Sequence, residues 1–244
     1  MWKRISAFLF DGILLAVVSV LFALILSTVL GYDGYNQTLQ NAYEKYSEEY
    51  GVNMRLSSEE MEALSAEDQA RVEAAYDALN EDAAAKQAYG MMLSLSLVII
   101  SISILLGYIT MEFVIPLCLG HGRTLGKKIF GLAVMRTDGV KISHVVLFVR
   151  TFLGKYAIET MIPVLIVLMI LMGTLGLLGT VILFLILVIE IALMLTTPTR
   201  SMIHDLMAST VEVDYASQMI FDSREAMIAY KEKLHAELAA KQEY

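Results

Sequence analysis

Cysteine is almost absent from this 244-residue chain: Cys118 stands alone, which excludes an internal disulfide and leaves the redox compartment open. Histidine is nearly as scarce. The four, at 121, 144, 204 and 235, form no HExxH pair, so no metal site and no cofactor is expected. Proline occurs only at 116, 163 and 198. The most telling shortage is of charge, since residues 5–30, 91–119 and 156–197 carry almost none. With 57% hydrophobic residues and a mean hydropathy of +0.62, the chain lies well beyond the roughly 45–50% apolar share of a soluble domain. The composition predicts an all-α integral membrane protein.

A hydrocarbon core of about 30 Å takes about 20 apolar residues to cross. The first stretch supplies a span within residues 1–30 and the second a span over 91–119. The third, residues 156–197, is long enough for two, with Gly173-Thr-Leu-Gly176 as a tight connection between them. Four transmembrane helices are expected. The first is retained: its apolar run continues to Leu30 and contains Asp11, whereas a secretory signal has an apolar core of about 7–15 residues ending at a small-residue cleavage site.

Lys and Arg in short flanking loops stay on the cytoplasmic side of a membrane. Residues 31–90 hold 4 basic and 13 acidic residues, whereas residues 120–155 hold 7 basic residues against the single acid Asp138. The basic segment and both termini are therefore expected in the cytoplasm and the acidic insert outside it. The net charge of −8 averages over two unlike faces.

The insert lacks proline and is rich in Ala, Glu, Leu, Met and Gln, which favours helix over disorder. Ser57 with Glu60 and Ser65 with Asp68 have capping-box spacing. A helix is expected from about Ser65 into the second span, and an earlier one over residues 35–50, where Tyr43, Tyr46 and Tyr50 recur as a packing stripe or a headgroup contact. In residues 120–155, Thr124 reads as a helix cap, 132–137 as a short strand and Asp138-Gly139 as a tight turn. Ser143 then caps an interfacial helix carrying Val145, Val146, Phe148, Val149 and Phe152 beside Arg150. In residues 198–244, Pro198 stops the fourth span and Thr199 starts a short helix. Residues 209–213 suit pairing with 132–136 in a small sheet. The charged tail from 222 is a helix whose stripe, Met227, Tyr230, Leu234 and Leu238, suits docking on this protein, the membrane surface or a partner helix.

Gly126-Lys127 is not a phosphate loop, because the required glycine falls at His121 and the required Ser or Thr at Lys128. No nucleophile–base set appears either; His204 and Asp205, adjacent on a helix, point about 100° apart. Neither an enzyme nor a nucleic-acid binder is expected.

Each span carries one carboxylic acid: Asp11, Glu112, Glu159 and Glu190. At the centre of a span such an acid costs about 2.5–3.5 kcal/mol even on a lenient scale. With about 1.5 Å of rise per residue, all four fall roughly 6–12 Å below the cytoplasmic surface. They form one polar layer, with Arg4, Arg150 and Lys155 within reach and Arg200 near its mouth. Arg4 and Asp11 lie two turns apart on one face, placed to pair. Glu112 and Glu159 are shallow enough to be structural, while Glu190 is deepest and has no basic residue in its own span. Asp205, beyond the membrane, suits helix capping or pairing with Arg4 or Arg150.

Four segments then stand out together: Arg4-Ile-Ser-Ala-Phe-Leu-Phe-Asp11; Thr124-Leu-Gly-Lys-Lys-Ile-Phe-Gly-Leu-Ala-Val; Asp138-Gly139 before a helix with Arg150; and Arg200-Ser-Met-Ile-His-Asp205-Leu-Met-Ala-Ser-Thr-Val. In this order they resemble the RDD family of bacterial membrane proteins, named for one arginine and two aspartates, by position Arg4, Asp11 and Asp205. Residues 31–90 and the tail from 215 depart from the compact family pattern, so any specialisation is expected there. The resemblance implies a multi-pass protein of the bacterial inner membrane and, for some members, cation/proton exchange or other transport. On that expectation Asp11 and Glu190 take up and release protons. A homo-oligomer is implied, since four short spans without an internal repeat or a broken helix hardly enclose a path. The alternative is a non-enzymatic membrane anchor or assembly protein holding partners at 31–90 or 215–244.

Overall fold

The structure, a computed structural model, describes residues 2–241. Four of its helices are long and apolar enough to cross a membrane: Trp2–Val29, Ala83–Leu119, His144–Leu171 and Gly176–Thr196. By contacts the chain divides into two compact units, Val20–Ser103 and Met1–Ser19 with Ile104–Tyr244.

In the unit Val20–Ser103, three helices lie between the ends of α1 (Trp2–Val29) and α5 (Ala83–Tyr108): α2 (Tyr32–Tyr50), α3 (Ser58–Glu62) and α4 (Ala66–Glu81). Helix α2 ends in a Schellman closure. Gly51, at φ 63°, and Val52 return their N–H groups to the carbonyls of Glu48 and Ser47. The capping box of Ser57 and Glu60 opens α3, and Ser65 accepts the Asp68 amide to open α4. The helix from Ser65 does not run into the second span as expected. Asp82 turns extended and ends α4, and its carboxylate then accepts the amides of Ala84 (2.9 Å) and Ala85 (3.1 Å), starting α5. The tyrosine stripe is a packing stripe. Tyr46 is buried with Met54, Ala75 and Leu79, and Tyr43 and Tyr50 pack against them.

The other unit holds the start of α1, the end of α5 and everything after it. A π-helical segment, Ile109–Val114, joins α5 to α6 (Ile115–Leu119); then come α7 (Leu125–Ile129) and β1 (Leu132–Arg136). Helix α8 (His144–Phe148), a second π-helical segment (Val149–Met161) and α9 (Ile162–Leu171) run on as one helix. The helix capped by Ser143 is therefore not separate from the third apolar helix but runs into it without a break, His144–Leu171. After a turn with Gly173 and Gly176 at φ 71° and 47° comes α10 (Gly176–Thr196), then α11 (Ile203–Ala208), β2 (Thr210–Asp214) and α12 (Arg224–Lys241). Strands β1 and β2 pair antiparallel from Leu132↔Asp214 to Arg136↔Thr210, as the hydrophobic alternation predicts. Thr199 caps nothing: Arg200 sits at φ 52°, the Thr199 hydroxyl bonds the Ser201 hydroxyl (2.6 Å), and α11 opens at Ile203 without a side-chain cap.

Both π-helical segments lead into a proline, Pro116 and Pro163, and each proline stands four residues after a glutamate, Glu112 and Glu159. Proline has no N–H and crowds the carbonyl four residues back, so the turn before it widens. The freed carbonyl of Glu112 finds another donor, the Thr151 hydroxyl at 3.0 Å. Two widened turns from neighbouring spans thus face each other with their polar groups inward, and Tyr108 joins them by its hydroxyl to Thr160 (2.7 Å) and by ring contact with Tyr156.

Candidate functional site

The π-helical stretch Val149–Met161 carries Arg150, Lys155 and Glu159. Arg150 is 2% exposed and sits at the centre of the polar layer. Its Nε donates to Asp205 Oδ1 (3.0 Å), and its Nη2 reaches that oxygen (2.9 Å), His204 Nε2 (2.9 Å) and Glu212 Oε1 (3.3 Å). Asp205 also accepts the Thr210 hydroxyl (2.7 Å), and Glu212 also pairs with Lys127 Nζ (3.1 Å). One turn along, Lys155 Nζ meets Glu112 Oε2 at 2.6 Å. A buried charge survives only when paired and hydrogen-bonded. Here three cations, Lys127, Arg150 and Lys155, face three acids, Glu112, Asp205 and Glu212.

For Glu212, burial acts to raise the carboxyl, and Lys127, Arg150 and Lys155 more than reverse this and hold it down to about 2. His204 is pushed well below the ordinary imidazole range by burial and then by Arg150, Lys155 and Lys127, so it is neutral. Because a guanidinium only donates, Arg150 fixes Nε2 of His204 as the acceptor and leaves the proton on Nδ1. That N–H points at Glu159, 2.8 Å from Oε1 and 2.7 Å from Oε2, and the backbone amide of His204 adds a bond to Oε1 at 2.7 Å. The close approach depends on Gly154. A Cβ there would lie 2.5 Å from His204 Cβ and 2.6 Å from its Cα. Gly154→Ala is therefore expected to cost about 1–3 kcal/mol by overpacking, read as a lowered thermal midpoint, while Gly12→Ala, with nothing within 4 Å of the added carbon, leaves the midpoint unchanged or higher.

Asp11 and Arg4 do not pair. The Asp11 carboxylate accepts the Thr124 hydroxyl and the Gly126 amide (2.7 Å), capping α7 from the first span. Gly126 is glycine because a Cβ would meet the Ala7 carbonyl at 2.6 Å. Arg4 donates to the backbone carbonyls of Thr199 (3.0 Å) and Glu212, and Lys3 pairs with Asp214 (2.6 Å). The two residues brace the start of α1 separately, against α7 and against β2. Arg200 is exposed and stands outside the network.

Glu190 differs from the other acids. Both its carboxylate oxygens are buried and make no hydrogen bond. The amide of Ile203 faces it without reaching bonding geometry, and Glu159 lies near enough for the two carboxyls to repel. All seven of the expected polar residues, Arg4, Asp11, Glu112, Arg150, Glu159, Glu190 and Asp205, fall in one unit, and Lys127, His204 and Glu212 join them. Among the described residues, no group of three or more His, Cys, Asp or Glu is arranged to hold a metal ion.

Four apolar spans around an internally matched layer of buried charge define a multi-pass membrane protein. Its braced arginine and aspartates point further. The chain belongs to the RDD family, whose family model matches residues 1–209. No curated protein and no solved structure matches it.

Proposed function

We propose that this RDD-family protein exchanges protons for monovalent cations across the bacterial inner membrane, as a non-enzymatic homo-oligomer with both termini and the basic segment in the cytoplasm. One observation supports this above others. Every other intramembrane acid has a cation, an imidazole or an amide to answer it, whereas the Glu190 oxygens are buried without a hydrogen bond. A carboxyl left so in a span needs a proton or a cation, and such residues mark ion and proton pathways. Asp11, first expected to share this work, is engaged as a helix cap. The oligomer is favoured by how little of each span is covered within one chain, 6% to 22% of its most apolar window. The rest faces lipid or further copies.

Reconstituted in liposomes, the protein should dissipate a pH gradient when sodium, potassium or lithium is added. Glu190→Gln should reduce the rate to that of empty vesicles. Wild-type flux no greater than that of empty vesicles, or flux indifferent to Glu190→Gln, contradicts the proposal. In that event the second reading gains, an anchor or assembly protein. Its support is the unit Val20–Ser103, which has its own core and an open cleft of about 390 Å³ lined by Gln40, Tyr43, Met54, Arg55, Leu56 and Tyr76.

A further inference from the structure

The arginine and aspartates that give the family its name brace α1 and pair with Arg150, and none of them hydrogen-bonds Glu190. Outside that set, Glu159 lies near enough to Glu190 for the two carboxyls to repel, and His204 is the residue that hydrogen-bonds Glu159. Two neighbouring carboxyls do not both ionise cheaply, and the proton goes to the one whose charged form is less well hydrogen-bonded. Glu159 accepts three N–H contacts, the His204 amide and the bifurcated Nδ1–H; Glu190 accepts none.

We infer that His204 is a positioning residue: an imidazole locked by Arg150 as the Nδ1–H tautomer, which holds Glu159 as the anion and so leaves the exchangeable proton on Glu190. This rests on the exchanger proposed above and adds to it the carrier of the proton. The surroundings of His204 leave little freedom for any other state. Arg150 and Lys155 face it from the second π-helical segment together with Glu159, Lys127 from α7, Asp205 from its own helix (3.5 Å from Nε2) and Glu212 through Arg150. Adding a second proton at Nε2 would set two cationic donors against each other at 2.9 Å. The imidazole therefore does not titrate in the cycle. The step is a simple one: a proton leaves Glu190 for water on one side as a monovalent cation takes its place on the carboxylate, and on the other side the cation leaves as a proton returns, while Glu159 keeps its charge.

The test reads the proton directly. Infrared difference spectra of the full-length protein in lipid nanodiscs, taken across a pH step, should show one protonated-carboxyl band, absent from Glu190→Gln and present in Glu159→Gln. His204→Asn puts an amide N–H where Nδ1 was and should keep the band on Glu190. His204→Gln, whose amide falls at the Nε2 position, should divide it between the two glutamates, seen as a band that Glu190→Gln no longer removes entirely. A band lost in Glu159→Gln but kept in Glu190→Gln, no band at all, or His204→Asn and His204→Gln behaving alike would overturn the inference. The spectra do not depend on transport: a band on Glu190 in a protein without flux keeps this assignment and removes only the exchanger.

Discussion

Replacing Arg150 by alanine should cost about 3–5 kcal/mol, the range for breaking a buried ion pair by removing one partner. Few single substitutions in the chain should cost as much. The guanidinium answers Asp205, Glu212 and His204 at once, from a position 2% exposed. Without it Asp205 keeps only the Thr210 hydroxyl, Glu212 keeps only Lys127, and β2 loses its tie to the third span, while α11 stays joined to it through His204 and Glu159. Arg150→Lys should recover part of the loss, since an ammonium restores the charge without the planar fork that reaches three groups. Thermal unfolding in detergent measures this, with Lys3→Ala as the comparison. That residue pairs with Asp214 at the surface, its side chain 62% exposed, and should cost less than about 1 kcal/mol. Equal losses for the two would mean that the buried network does not hold the fold.

The second large effect separates breaking a buried pair from replacing it. Lys155→Met leaves Glu112 charged at a site where both side chains are about nine-tenths buried, and should again cost about 3–5 kcal/mol. Adding Glu112→Leu should restore most of that loss, because two well-packed apolar side chains of similar volume are often no worse than the ion pair. The double variant then tells structure from function. If Glu112 and Lys155 serve only to join the two π-helical turns, it should fold like the wild type and keep its exchange activity. A double variant as unstable as Lys155→Met would show that the carbonyl contact from Thr151 and the ring contacts do not suffice to hold the turns together.

Much of this arrangement is legible in the chain before any fold is known. Thr124, Ser143, Ser57 and Ser65 cap the helices their spacing announces, and the two strands pair where their alternation places them. Helix rise alone puts the four acids at one depth. What it does not give is partners, because these lie far apart in sequence: Asp11 meets groups 113 and 115 residues away, so the pairing with Arg4 that the spacing on one helix suggests gives way to a cap on α7. Lys127 and Glu212 are harder still, being residue types almost never fully buried unless paired. A faint signal exists for each. Lys127 follows a helix cap by three residues, and Glu212 alternates with Val211 and Val213, whose side chains pack in the sheet core. The π-helical turns leave no mark on hydrophobic periodicity, but the Glu-x-x-x-Pro spacing at 112–116 and 159–163 marks both.

One comparison tests the account most directly: the rate of cation-driven dissipation of a pH gradient in liposomes, per folded protein, for Glu190→Gln beside Asp11→Asn. Asn keeps a carbonyl that can accept from Thr124 or Gly126, so Asp11→Asn should retain exchange in whatever fraction folds, while Glu190→Gln should fold normally and transport nothing. Transport that survives Glu190→Gln but disappears from folded Asp11→Asn would contradict the division made here between the acids that brace this membrane protein and the one that works.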